Sequence, residues 1–343
     1  MKILSITPEL PSASRPGSMA PTARQIESLR SLGIDSITID MRGRAKVKYL
    51  KAIPRVRRAA PQCELVHAHF GYCGWLAHTQ RARPIVLSLM GSDVYGDTLA
   101  HGRPGFVSSF VARVNRTLLA PRVAAVIVKS EQMAEMIAPT PATVIPNGVD
   151  TSTFRPIEQH EACRRLGWET GPLRVLFPGN PANPRKGIDL ARAAVAQTEK
   201  LLGVRIELVA MWDVAPEDVP MYMNACDAML LASHAEGSPN VIKEAMACNR
   251  PIVSTPVGDV QELLRGVTGC RVCERDSEQV APMLCELLDE RTAAAGRARI
   301  EQMELDLQSV ARRVCRVYEQ VLGRTILPEC ENQQTPTEIS CTA

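Results

Sequence analysis

The sequence predicts an α/β protein built from two parallel-sheet domains whose strand ends face each other across one cleft. Three observations carry that expectation. Short β-rich apolar runs alternate with helix-like segments along the chain, as successive βαβ units would. The length of 343 residues suits about two domains, each with its own core. One Pro-rich, turn-rich run over residues 139–156 separates two halves that repeat the same scheme.

In the first half the strand candidates are residues 2–6, 36–39, 65–68, 84–89 and 123–128, with a helical pattern over residues 22–32. The second half offers strands at residues 174–177, 205–210, 228–231 and 251–254, and helices over 190–202 and 240–249. Helical periodicity returns over residues 305–322 through Val310, Val314, Val317 and Val321. Past Arg324 the chain turns polar, with Pro328 and Pro336. The expected division is a first domain over residues 1–150, a second over 151–324 that includes the last helix, and a disordered tail over 325–343.

Composition narrows the class further. Hydrophobic content of 45% and charged content of 22% are ordinary for a soluble globular chain. The opening apolar run ends after Ile6, with Pro8 and Pro11 close behind, too short for a secretory signal. No run approaches the ~18 apolar residues of a membrane span, and a cytoplasmic protein is expected. Eleven scattered cysteines, an odd number, read as reduced thiols. Cys270 and Cys273 alone have metal or redox spacing, and no second pair accompanies them. No metal site and no cofactor is expected.

The net charge of +3 conceals an asymmetry. Residues 1–150 carry 19 Lys and Arg against 10 Asp and Glu, a net of +9, and the remainder is −6. Much of the excess comes from Arg42, Arg44, Lys46, Lys48, Lys51, Arg55, Arg57 and Arg58, with no acidic residue between Met41 and Pro61. Such a stretch is either a solvated face or a surface for anionic lipid headgroups, an anionic acceptor or nucleic acid. Nucleic acid is not expected, because Tyr49 is the one aromatic there for stacking. Peripheral contact with the inner face of an anionic membrane remains open.

The most informative segment runs from His234 to Ser254. Ser238 suits an N-cap and Pro239 the first helical position, where its missing N–H costs nothing. The free amides of that first turn and the helix dipole favour a phosphate, and Gly237 lets backbone approach it closely. Glu236 and Glu244 flank the expected anion. On its helix Glu244 shares a face with Val241 and Cys248, with no Lys or Arg three or four residues away. A carboxylate so placed needs donors from elsewhere, and sugar or ribose hydroxyls suit it. The plainer reading is a carboxylate that complements the dipole.

Other candidates lie where strands end, the ligand edge of open α/β sheets. Gly17 and Ser18 follow the first strand and bring backbone N–H groups toward a helix start. His69, at the carboxyl end of the third strand, is the better cleft candidate and is expected among the catalytic residues, and His67 reads as structural. Ser92 and Asp93 sit in the turn after the fourth strand and are the expected acceptor-side residues. Arg185 and Lys186, between a strand and a helix of the second half, are placed to neutralise phosphate.

Together these pieces resemble the family 4 retaining glycosyltransferases, which have the GT-B fold of two Rossmann-like domains facing each other across a cleft. The resemblance covers nearly the whole chain before the tail. Its most specific part is Glu236 and Glu244 followed by Ala245-Met246-Ala247-Cys248. Residues 145–150, 67–71, 91–93 and 186–187 add matches, and the helix containing Val317-Tyr318 resembles the family's terminal helix that crosses back to the first domain. The resemblance implies that Glu236 lies near the donor sugar, Glu244 binds the ribose and Lys186 contacts the diphosphate, while the backbone of Gly237, Ser238, Asn240 and Val241 holds sugar and phosphate. It implies transfer from a nucleoside-diphosphate sugar, as substrate, to a glycan, lipid-linked or small-molecule acceptor on the first-domain side, as in polysaccharide biosynthesis.

Three departures bear on the site. Asn180 stands where the family commonly has Arg, and Arg185, in a loop one residue longer, is the expected substitute. Met90 replaces a frequent histidine. Residues 211–216 replace a Gly-rich turn, so the base pocket does not carry over. The alternatives are an epimerase or phosphorylase of the same fold, or a non-catalytic nucleotide-sugar-binding protein.

Overall fold

The computed structural model describes residues 1–12, 15, 17–42, 47–96, 105–289 and 293–328. Arg44 and Lys46 of the basic stretch, and residues 329–343 of the expected tail, lie outside the described residues.

Strands β1 (Lys2–Thr7), β2 (Asp35–Asp40), β3 (Leu65–His69), β4 (Ile85–Ser88), β5 (Ala125–Val128) and β6 (Thr143–Val144) form one all-parallel sheet in the order β2-β1-β3-β4-β5-β6. Its central strands are buried on both faces, with Ile3, Leu4, Ile6, Leu65, Val66 and Ala68 inaccessible to solvent. The accompanying helices are α1 (Ala20–Ser31), α2 (Val47–Ala59), α3 (Gly71–Ala77), α4 (Ser92–Tyr95), α5 (Phe106–Val114) and α6 (Glu131–Ile137).

A second all-parallel sheet contains β7 (Leu173–Phe177), β8 (Ile206–Ala210), β9 (Ala228–Leu231), β10 (Ile252–Ser254) and β11 (Cys270–Val272), in the order β11-β10-β9-β7-β8. With it go α7 (Gln159–Leu166), α8 (Ile188–Leu202), α9 (Val219–Ala225), α10 (Asn240–Ala247), α11 (Val260–Leu264), α12 (Ser277–Asp289) and α13 (Gly296–Gln302). Both sheets share one doubly wound order, in which the first strand lies between the second and the third. The direction in which successive strands are added therefore reverses between β1 and β3 and between β7 and β9, and those reversals open the crevices where open α/β sheets bind ligands.

Two strands escaped the sequence reading, both at sheet edges. β6 falls inside the run read as linker, where Pro141 and Pro146 flank two extended residues. β11 is three residues long. Cys270 and Cys273 do not form an exposed pair: both pack in apolar cores, and burial pushes the Cys270 thiol up to about 12.

The last helix, α14 (Leu307–Leu322), begins two residues later than expected because Asp306 caps it, its Oδ1 accepting from the amides of Gln308 and Ser309, 2.9 Å each. Although α14 follows the second sheet, its apolar face packs on the first. Val310, Val314, Val317 and Tyr318 share a core with Ile3, Leu29, Leu65 and Val86. Tyr318 Oη lies 2.6 Å from His67 Nδ1, and Ser88 Oγ lies 2.8 Å from His67 Nε2, which makes His67 a hydrogen-bonded core histidine.

Candidate active site

Loops that follow the strands of the two sheets meet. After β7 the chain runs through Gly179, Arg185 and Lys186 into Gly187, whose φ of 72° starts α8. A Cβ on Gly187 would stand 2.1 Å from Ala232 O, so glycine lets the loops after β7 and β9 lie in contact. His234 N then donates to Arg185 O at 2.8 Å and joins the two loops. From the other domain, the turn after β4 approaches Gly237 so closely that a Cβ there would stand 3.4 Å from Gly91 Cα and Met90 O.

A cavity of about 700 Å³ lies at this junction, within the ~300–1,000 Å³ of small-molecule sites. Gly17, Arg185, Lys186, Glu236, Gly237, Ser238, Asn240, Val241 and Glu244, all expected site residues, line it. Lys186 Nζ donates to Glu236 Oε1 at 2.8 Å, Ser233 Oγ donates to the same oxygen at 3.0 Å, and Arg185 Nη1 lies 3.5 Å from Oε2. Arg185 also donates to Ala235 O at 3.1 Å. The two cations expected at a phosphate therefore converge on Glu236. An adjoining cavity of about 670 Å³ is lined by Met90, Gly91, Ser92, Glu236 and Gly237, among others.

Four expectations are corrected. Ser238 does not cap the helix. α10 begins at Asn240 with Pro239 at the cap position, because the Ser238 hydroxyl donates to Asp259 Oδ2 at 2.6 Å and accepts from Lys243 Nζ at 2.8 Å. Lys243 and Asp259 are both buried, and this bridge supports the loop from below. Ser18 does not offer its amide to a ligand, since that N–H donates to Arg15 O at 3.2 Å in a local turn. Asp93 is buried rather than presented to an acceptor. Its Oδ1 accepts from the amides of Met90 (2.8 Å) and Gly91 (2.9 Å) and its Oδ2 from Gly71 N (3.0 Å), so it shapes the turn. Burial raises its carboxyl to about 6 against those bonds.

His69 is the fourth. It is buried, with neither ring nitrogen hydrogen-bonded among the described residues, and it lines neither of the two cleft cavities. Burial and the nearby charge of Lys129 lower its pKa to about 3, leaving the ring neutral. Its ring stacks 4.0 Å from that of His67 inside the domain.

Sequence reasoning missed Arg24 and Lys129. Glu244 already has a basic partner, for Arg24 Nη2 on α1 donates to its Oε1 at 2.8 Å across the cleft. A search along one helix could not reveal a partner 220 residues away in sequence. Asn147 Nδ2 likewise donates to Asn240 Oδ1 at 3.2 Å between the halves. Lys129 directly follows β5 and lines the larger cavity. A lysine ending an apolar strand run was the available signal. Met211, Trp212 and Val214 supply an apolar wall of that cavity.

Two doubly wound domains with a charged, partly apolar cavity between their strand ends make up the GT-B architecture. The chain matches the model described as "Glycosyltransferase Family 4" over residues 13–153 and that described as "Glycosyl transferases group 1" over residues 194–290. It is 25% identical to the putative teichuronic acid biosynthesis glycosyltransferase TuaC of Bacillus subtilis, over 77% of this chain and 83% of that protein. It is 28% identical to the D-inositol 3-phosphate glycosyltransferase of Actinosynnema mirum, over 65% of this chain and 64% of that protein. The match therefore spans less than two thirds of that relative.

Among solved structures, sucrose-phosphate synthase from Thermosynechococcus elongatus superposes with a TM-score of 0.76 at 18% identity, covering 94% of this chain and 99% of that one. Anabaena HepE in complex with UDP-glucose gives 0.68 at 19% identity, covering 93% and 100%. The chain belongs to the family 4 glycosyltransferases of GT-B fold. No described helix is long and apolar enough to cross a membrane.

Proposed function

We propose that the protein is a retaining glycosyltransferase that takes a nucleoside-diphosphate sugar in the cavity between its domains. The observation that carries this reading is the convergence of Lys186 and Arg185 on Glu236, with Glu244 on the same cavity wall. Breaking the bond from the anomeric carbon to the diphosphate builds positive charge on the sugar and negative charge on the departing phosphate. Lys186 and Arg185 stabilise that second charge more in the transition state than in the ground state, and Glu236 orients them and the sugar. Glu236 is not assigned as nucleophile or base. Retention on one face of the sugar leaves a donor phosphate oxygen to take the acceptor proton.

Glu244 accepts from the ribose hydroxyls once they displace Arg24, and the Met211–Trp212 wall receives the base. Turnover without added metal is expected, because the two cations already neutralise the leaving group. HepE was solved with UDP and with UDP-glucose, so uridine donors are the first to try. A thermal-shift panel of uridine, guanosine and adenosine diphosphates and their sugars tests the reading, since a specific binder raises the melting temperature. Anomeric NMR of the product then tests retention. A chain that no nucleotide stabilises would refute the proposal.

A second reading concerns the surface. Lys51, Arg55, Arg57 and Arg58 are exposed on α2, whereas Arg42 pairs with Asp40 and Lys48 donates to Pro8 O. On the same helix Leu50 is 68% exposed, and Phe106 and Phe110 on α5 are 88% and 62% exposed. α3 joins these helices, packing on α2 and on the turn that continues α5, and it exposes Tyr72 and Trp75. Exposed basic and aromatic groups on these successive helices of the first domain suit an anionic membrane surface. Sedimentation with phosphatidylglycerol vesicles at low salt tests this, and absence of binding would remove it.

A further inference from the structure

Lys129 is an unusual residue in the cleft. It is buried, 1% exposed, yet it borders the main cavity together with Met90, Glu236 and Gly237. It also borders a chamber of about 120 Å³ that contains Asp259. An ammonium has three donors, and the bond found for this one is to Ile145 O, at 3.3 Å. The other cleft cations are matched. Lys186 and Arg185 lie on Glu236, Arg24 on Glu244, and Lys243 on the Ser238 hydroxyl that Asp259 accepts from.

No described carboxylate lies within ion-pair distance of Lys129. Asp93 is near enough to act on it, but three backbone amides hold that carboxylate. Lys243 repels Lys129, and burial with that repulsion lowers its pKa to about 7. Burying an ammonium without an anion is costly, and a residue so perturbed at a ligand edge is a candidate for binding.

We infer that Lys129 forms an anion subsite on the first-domain wall of the cleft, which holds a carboxylate or phosphate carried by the transferred sugar or by the acceptor. The inference rests on the cavity being the nucleotide-sugar site. A hydroxyl would not require an ammonium there, since a neutral donor would serve with a far smaller desolvation cost. The donor diphosphate is already matched from the opposite wall, where the loop after β7 brings Lys186 and Arg185. Met90 contributes no polar side chain, and Arg24, the other first-domain cation described along the cavity, is held by Glu244, so Lys129 is the cation of this wall without a carboxylate partner among the described residues.

The test measures equilibrium binding to the full chain by calorimetry, using the base selected by the nucleotide panel. One arm compares the nucleoside-diphosphate glucose with the corresponding glucuronate. The other compares D-inositol with D-inositol 3-phosphate at saturating nucleoside diphosphate. Wild type is expected to bind the anionic member of one pair at least tenfold more tightly, and the pair that responds identifies the source of the anion. Lys129→Met should erase that preference while leaving the affinity for nucleoside diphosphate alone unchanged, and Lys129→Arg should keep part of it. Circular dichroism establishes that the variants are folded.

Three results would overturn the inference: no preference in wild type, a preference that survives in Lys129→Met, or an equal loss of affinity for the bare nucleoside diphosphate, which would put Lys129 in the diphosphate site. Failure of wild type to bind any nucleoside diphosphate would instead overturn the cleft reading itself.

Discussion

Replacing Lys186 with alanine removes the cation held closest to Glu236. The size of the effect follows from the geometry. Lys186 Nζ lies 2.8 Å from Glu236 Oε1, and the two side chains are 20% and 12% exposed. At such partly buried positions a unit charge about 4 Å from a developing phosphate oxygen contributes at most about 4 kcal/mol at an effective dielectric near 20. Losing one preorganised donor typically lowers kcat by about 10²–10³.

The lower end of that range is expected here, because Arg185 remains and water reaches part of the Lys186 side chain. Arg185→Ala should cost less, about tenfold or ~1.4 kcal/mol, since its guanidinium is 3.5 Å from Glu236 and 36% exposed. Neither change should unfold the protein, because partly exposed pairs contribute only about 1 kcal/mol to stability. Initial rates of nucleoside diphosphate release at varied donor, with kcat and KM resolved separately, provide the assay. An unchanged kcat for Lys186→Ala would refute the leaving-group role. A rise in KM alone would move Lys186 to ground-state binding.

Four further outcomes follow from the structure. Glu244→Ala should weaken nucleoside diphosphate binding by about tenfold or more, through loss of charge-assisted bonds to ribose, with kcat changed far less; equilibrium titration measures it. His69→Leu should keep its turnover, since the ring is buried away from both cavities, and steady-state kinetics showing a large loss of kcat would restore it as a catalytic candidate. Tyr318→Phe removes the 2.6 Å bond to buried His67 and should destabilise the fold by about 1–3 kcal/mol, read as a lowered melting temperature in calorimetry. Lys129 is lowered to about 7 in the folded chain, so between pH 7 and its unfolded pKa the unfolded chain binds the extra proton and stability rises with pH. Relative to Lys129→Met, wild type should therefore gain about 1–3 kcal/mol between pH 7 and 9 in denaturant titrations.

The sequence carried the sheet architecture because buried parallel strands read as continuous apolar runs, as in β1, β7 and β9. It lost β6 and β11, where an edge strand is too short for periodicity and prolines suggest a linker. The site was legible where chemistry is local: Glu236, Lys186 and Gly237 lie in loops that directly follow strands, and the structure brings them together. Contacts made across the cleft were hidden. Arg24 meets Glu244, and Asp259 draws Ser238 away from capping, through partners that no spacing reveals. Asp93 and His69 were misread for a related reason. Position at a strand end gives the edge of the sheet, but it does not distinguish a side chain that faces the cleft from one folded into the domain.

The most direct measurement is a crystal structure of the chain with an intact nucleoside-diphosphate sugar that stabilises it. The diphosphate should lie against Lys186 and Arg185 and the backbone from Gly237 to Val241, with the ribose hydroxyls on Glu244 in place of Arg24. A nucleotide bound outside this cavity, or within it with Glu244 still paired to Arg24 and Lys186 away from phosphate, would contradict the account.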